Sequence, residues 1–150
     1  MNANDARIAR LYTTQTGGVT EDNSPNAGPP RLNTFDLILQ LEAGNVIGQS
    51  GGTYRLTFTA INDDTAAPEA GIGLGPFNEQ FQPPEWKSSG NDFVRTSPAV
   101  TAAIPEILGI TRFTITIPAG LFGQFHYNLR FVNSGSQVVA IAQSNPFILV

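Results

Sequence analysis

The sequence predicts an all-β protein: a single antiparallel β-sandwich of about seven to nine strands spanning residues 1–150. Three observations predict it. Apolar and polar residues alternate over short stretches, most clearly Phe113-Ile115-Ile117 and Phe125-Tyr127-Leu129-Phe131. Strand side chains point to opposite faces with a period of two, so each stretch has one face for a core and one for water. Clusters of Gly, Pro, Asn and Asp punctuate these stretches at short spacing, as in sandwiches and barrels. No segment carries a sustained helical period. The nearest, Val100 to Leu108, is interrupted by Pro105, which removes a helical N–H and clashes with the preceding turn.

Taken in order, residues 7–14 form a first strand and residues 15–30 a long loop. That loop is almost free of apolar residues and holds Gly17-Gly18, Asn23-Ser24-Pro25 and Gly28-Pro29-Pro30. Thr34 to Leu41 follows, with Phe35, Leu37, Leu39 and Leu41 on one face and Asp36, Ile38 and Gln40 on the other. Thr53 to Ile61 places Tyr54, Leu56, Phe58 and Ala60 inward and Thr53, Arg55, Thr57 and Thr59 outward, where β-branched Thr suits an exposed strand. Asn62-Asp63-Asp64-Thr65 is a turn signal. Residues 66–90, rich in Gly and Pro, form a second long loop with at most a short edge strand around Ile72, Leu74 and Phe77. Asp92 to Thr96 is a short strand. The stretch 110–150 closes the domain with the two alternating runs above, a third run from Val138 to Ala142, and Phe147 to Val150.

Composition narrows the function classes. Charged residues make up 13% of the chain, about half the roughly 25% usual in globular proteins. The polar surface is therefore mostly Thr, Ser, Asn and Gln, which resists self-contact only weakly. The net charge is −4, and the arginines are scattered, so the clustered cations that neutralise nucleic-acid phosphates or an anionic membrane surface are missing. No run reaches the roughly 20 apolar residues of a membrane helix. With no Cys and a single His, His126, disulfides, thiolate nucleophiles and zinc sites are not expected, and no cofactor is implied. The polar start Met1-Asn2-Ala3-Asn4-Asp5 lacks a following apolar stretch, so no signal peptide is expected and the chain reads as cytoplasmic or as a processed, mature form.

Two entries into core strands, Gly123-Gln124-Phe125-His126-Tyr127 and Gly52-Thr53-Tyr54-Arg55-Leu56, resemble late strands of immunoglobulin-like and fibronectin-type sandwiches. The resemblance covers residues 34–61 and 111–150. It implies an Ig-like sandwich, or the related jelly-roll arrangement, in which such a Tyr bonds its hydroxyl back to the backbone. The ending Ser144-Asn145-Pro146-Phe147 is similar to the closing strand of such modules. The chain departs from antibody-type domains in having no Cys and in carrying its one Trp, Trp86, in the Pro-rich 66–90 segment instead of on a core strand. The resemblance carries architecture and no activity.

Candidate sites are few. His126 belongs to the outward face with Asn128 and Arg130, and no Gly-x-Ser-x-Gly elbow accompanies it, so no catalytic residue is assigned. Asn62-Asp63-Asp64 offers oxygen ligands but no EF-hand spacing, and caps a turn more naturally. Glu79, Glu85 and Asp92 share one region, as paired glycosidase carboxylates would. The segment from Phe77 to Asp92 sets Phe77, Phe81 and Trp86 beside Glu85, Asn91 and Asp92. Aromatic rings with amides and acids are what a sugar- or peptide-binding surface uses, unless the rings fold inward and cover one end of the sandwich. Phe147, Ile148, Leu149 and Val150 are apolar on both faces, suited either to a buried strand or to an open edge that pairs with another chain.

The leading expectation is a non-enzymatic structural or binding module acting through its surface and associating with itself or another protein. The alternative is a carbohydrate-binding, lectin-like domain using residues 77–92, and the third a hydrolase.

Overall fold

The computed structural model describes residues 1–133 and 138–150. Among the described residues eleven strands form two antiparallel sheets. The first sheet is built from β1 (Ala6–Thr14), β2 (Thr34–Ala43), β6 (Trp86–Ser89), β7 (Asp92–Arg95) and β8 (Thr111–Thr116). Strand β2 pairs with β1 along one side and with β8, then β7, along the other. The second sheet contains β3 (Thr53–Asn62), β4 (Ala67–Pro68), β5 (Leu74–Gln80), β9 (Gly123–Asn133), β10 (Val138–Gln143) and β11 (Phe147–Leu149). Strands β3 and β9 lie at its centre, with β4 and β5 outside β3 and β10 and β11 outside β9. The all-β sandwich predicted from the alternation is the fold observed.

The alternation sets the packing. Phe35, Leu37, Leu39 and Leu41 of β2 face Tyr54, Leu56, Phe58 and Ala60 of β3 and Phe125, Tyr127, Leu129 and Phe131 of β9, and all are buried. Rings bridge the sheets, Phe35 to Phe147 at 5.4 Å and Phe58 to Phe113 at 5.1 Å between centroids. Each such side chain contributes about 1.5–3 kcal/mol by leaving water.

The segment 66–90 is not the long loop expected. It contains β4, a 3-10 turn at Ala70–Ile72, β5 and β6. Its glycines and prolines disguise strands that are irregular but paired. Leu56 partners Phe77 and Phe58 partners Leu74, with a register shift between them. Gly75 stands in that shift at φ +84, a region open to residues without a Cβ. The pairings β4 and β6 also account for the strand count exceeding the expected nine.

The loop 15–30 is a loop, and it lies on the outward face of the first sheet. Asp36 Oδ2 accepts the Gly17 N–H at 2.7 Å and Arg112 Nη1 at 2.6 Å, and Asp36 Oδ1 accepts Thr114 Oγ1 at 2.7 Å. Arg112 also donates to the Gly18 carbonyl at 2.8 Å. Asp36 and Arg112, alternating outward as predicted, are thus buried beneath the loop.

The end of the loop closes the β11 edge. The Ile148 N–H donates to the Asn23 carbonyl at 2.7 Å, and the Val150 N–H to Asn26 Oδ1 at 3.1 Å. Asn26 Nδ2 and Arg31 Nε both donate to the Val150 carbonyl oxygen. The outward N–H groups of Ile148 and Val150 and the Val150 carbonyl are thus engaged within the chain, so most of the Phe147–Val150 edge considered from sequence is closed to an incoming strand. Phe147 and Leu149 are core residues, whereas Ile148 and Val150 expose side chains only. No helix among the described residues is long and apolar enough to cross a membrane.

A polar cleft on the outward face of the second sheet

The register of β3 with its two neighbours assembles a site from outward positions. Arg55 lies opposite Asn78 of β5 on one side and Val132 of β9 on the other, Thr53 lies opposite Gln80, and Thr57 opposite Arg130. These side chains, with Tyr54, Glu79, Gln82, Glu85 and Asn133, line a cleft of about 810 Å³. Its walls are mainly amides, hydroxyls, guanidiniums and carboxylates, with Val132 the apolar exception; most stand on paired strands, and Gln82 and Glu85 on the connection between β5 and β6. Arg55 Nε donates to Asn78 Oδ1 at 3.1 Å across the β3–β5 pair.

Beneath the cleft runs a hydrogen-bonded chain. Trp86 Nε1 donates to the Tyr54 hydroxyl at 3.0 Å, and that hydroxyl donates to Glu79 Oε1 at 2.7 Å. Arg95 donates through Nε to Glu79 Oε1 at 2.9 Å and through Nη2 to Oε2 at 2.7 Å, and through Nη1 to Thr111 Oγ1 at 3.0 Å. This fork joins β5 of one sheet to β7 of the other. Burial, together with the Glu79 carboxylate, raises the Tyr54 hydroxyl above its ordinary value and keeps it protonated. Burial works against the Arg95 charge, but the Glu79 bonds outweigh it and hold the guanidinium above its usual range.

The residues picked from sequence divide here. Glu85 lines the cleft. Phe81 and Trp86 are 2% and 1% exposed, so neither can offer a ring face to a ligand. They pack on Tyr54 and on each other, with centroids 4.6 to 6.0 Å apart. Trp86 opens β6 and is a core residue, correcting its expected place in a loop. Phe77 stacks on Phe113 at 5.3 Å. Asn91 and Asp92 belong to the β6–β7 turn region and are not among the lining residues. Glu79 and Glu85 share the cleft without Asp92, and Glu79 is engaged by Arg95.

His126 faces outward as predicted, its Nδ1 2.5 Å from Asp63 Oδ1. Asp63 also accepts Gln124 Nε2 at 3.1 Å, and Asn62 Oδ1 caps the turn by accepting the Asp64 N–H at 2.9 Å. Among the described residues no hydroxyl bonds to the second ring nitrogen, and no group of three His, Cys, Asp or Glu is arranged to hold a metal ion. Tyr127 does bond its hydroxyl to backbone, the Ile72 carbonyl at 2.6 Å, and burial raises its pKa. The acceptor belongs to the turn before β5, whereas the hydroxyl of Tyr54, the other Tyr of the resemblance, bonds the Glu79 side chain instead of backbone.

Arg55, Asn78, Gln80 and Arg130 were not singled out from sequence. The alternation marked Arg55 and Arg130 as outward, but only the register shows that they share one cleft.

The chain is therefore an antiparallel β-sandwich with a polar cleft on one outward face. No protein-family model matches it, and no curated protein does. Among solved structures it is similar to a Niemann-Pick type C2 protein from Japanese carpenter ant, with 9% identity, 99% of this chain and 96% of that one covered, and a TM-score of 0.45.

Proposed function

We propose that this chain is a non-enzymatic binding module that holds a hydroxyl-rich ligand of the saccharide class in the β3–β5–β9 cleft. The observation that supports this reading is the cleft itself. Its roughly 810 Å³ is in the range of small-ligand sites. Its side chains, Val132 apart, supply both donors and acceptors, as a ring of hydroxyls requires. All but Gln82 and Glu85 stand on paired strands, so little order is lost on binding. The rings of Phe81 and Trp86 support the cleft from below instead of stacking on the ligand, which distinguishes this reading from the aromatic surface considered at first. A glycan array followed by calorimetry tests it. Binding that weakens at least about tenfold in Gln80→Ala or Asn78→Ala supports the cleft. An empty array, or affinity unmoved by both changes, removes it.

A second reading, self-association, draws on a different place. Phe122 is 72% exposed, Ile148 45% and Val150 44%, and the three line one shallow apolar hollow. The occupant proposed is a second copy of this chain, whose lightly charged surface opposes self-contact weakly. The contact would be made by side chains, since the β11 backbone is already bonded. A strict monomer in sedimentation at high concentration removes this reading.

A further inference from the structure

We propose that the ligand of the cleft is an acidic saccharide whose carboxylate or sulfate group is held by Arg55 and Arg130. The inference rests on the saccharide reading above and adds the charge of the ligand.

The distribution of ion pairs carries it. Arg7 pairs with Glu42, Arg10 with Glu21, Arg95 with Glu79 and Arg112 with Asp36. Arg31 bonds the Val150 carbonyl oxygen at 2.6 Å. Arg55 and Arg130 have no acidic partner among the described residues, and residues 134–137, Ser-Gly-Ser-Gln, contain no carboxylate. These two exposed guanidiniums open onto the same cleft. Arg55 is opposite Val132 and Arg130 opposite Thr57, so the two are diagonal neighbours on one sheet face, within reach of each other's long side chains. Two like charges so placed repel. Glu85 lines the same cleft, but among the described residues no carboxylate forms an ion pair with either guanidinium. An anion between them turns that repulsion into two attractions.

The geometry suits a planar or tetrahedral anion. The bond from Arg55 Nε to Asn78 Oδ1 orients the guanidinium and leaves its two terminal nitrogens for a fork to an acid group. Glu85, also on the cleft and without an ion partner among the described residues, gives the site a polarity. The acid end of the ligand goes to the arginines, and a hydroxyl or N-acetyl N–H goes toward Glu85. Charge must supply the affinity, because no ring face of Phe81 or Trp86 is available for stacking.

The test is a titration of the ¹⁵N-labelled chain, read at the arginine Nε–Hε resonances. The probes are an oligoglucuronate, a neutral glucose oligosaccharide of the same length, and sodium sulfate. The oligoglucuronate is expected to shift Arg55 and Arg130 and to bind about tenfold more tightly than the neutral probe, with the difference shrinking as salt rises. Arg55→Gln and Arg130→Gln, both at exposed positions and expected to melt as the parent does, should each weaken it by about tenfold. Glu85→Gln should tighten it by about twofold. Equal binding of the neutral oligosaccharide, unaffected by the arginine changes, overturns the acidic ligand and leaves the saccharide cleft standing. Sulfate binding with neither oligosaccharide bound overturns both, leaving a simple anion site. No shift with any probe also overturns both.

Discussion

Glu79 and Arg95 form a two-pronged bond, at 2.9 and 2.7 Å, that ties β5 of one sheet to β7 of the other beneath the cleft. The Arg95 side chain is nearly buried and Glu79 is one-quarter exposed. Removing one partner strands the other. Arg95→Leu and Glu79→Gln are each expected to cost about 2–4 kcal/mol. Urea unfolding should show a lower midpoint with unchanged slope. A double variant losing much less than the sum of the singles would verify the coupling.

Asp36 is the counterpart on the other sheet. Its carboxylate gathers Arg112, Thr114 and the Gly17 N–H in a fully buried place. Asp36→Ala leaves the Arg112 charge uncompensated, and a loss of about 3–5 kcal/mol is expected. Limited proteolysis should then cut within residues 15–22 faster than in the parent, since the anchor of that loop is gone.

The tyrosines give a pH dependence with a definite sign. Burial, aided at Tyr54 by Glu79, raises the hydroxyls of Tyr54 and Tyr127 above their ordinary 10.0. The folded chain therefore keeps protons that the unfolded chain has lost above that pH. The contribution is fully present below about pH 10 and is lost as pH rises further. Tyrosinate absorbance from Tyr54 and Tyr127 should appear together with unfolding in an alkaline titration. Early, independent ionisation of either would contradict their burial.

Trp86 is the sole tryptophan and is enclosed by Tyr54 and Phe81. Its emission is expected to be blue-shifted and poorly quenched by iodide. Trp86→Ala should lower stability by about 3–5 kcal/mol through cavity formation. Any loss of binding in that variant would report damage to the support of the cleft. Ready quenching by iodide would place the indole at the surface and restore the aromatic binding face.

The central strands were legible because their alternation is uninterrupted. Thr34 to Leu41, Thr53 to Ile61 and Phe125 to Phe131 each bury one face, and the structure places those same residues in the core. The short edge strand expected around Leu74 and Phe77 is part of β5, but its run to Gln80 and the strand opened by Trp86 were hidden for a physical reason. Pairing across a bulge does not need regular alternation, and Gly75, Pro76, Pro83 and Pro84 around these residues read as turn signals. Asp36 and Arg112 were assigned correctly to the outward face, but their burial depends on a loop folding over that face, which no period in the strand announces. The cleft was half visible. Glu85 drew notice for its neighbours in sequence, while Arg55 and Arg130 are joined by strand register alone.

That register has a consequence for how the molecule folds. The β3–β9 pairing, from Tyr54 with Asn133 to Asn62 with Phe125, is antiparallel contact between distant parts of the chain, the kind that forms slowly because a large loop must close first. Arg55 and Arg130 stand on the two sides of it. A ligand that grips both recognises only chains in which this pairing is complete. It would therefore act as a removable staple, deepening the folded state with the logarithm of its concentration once that exceeds the dissociation constant, and slowing release of the two central strands.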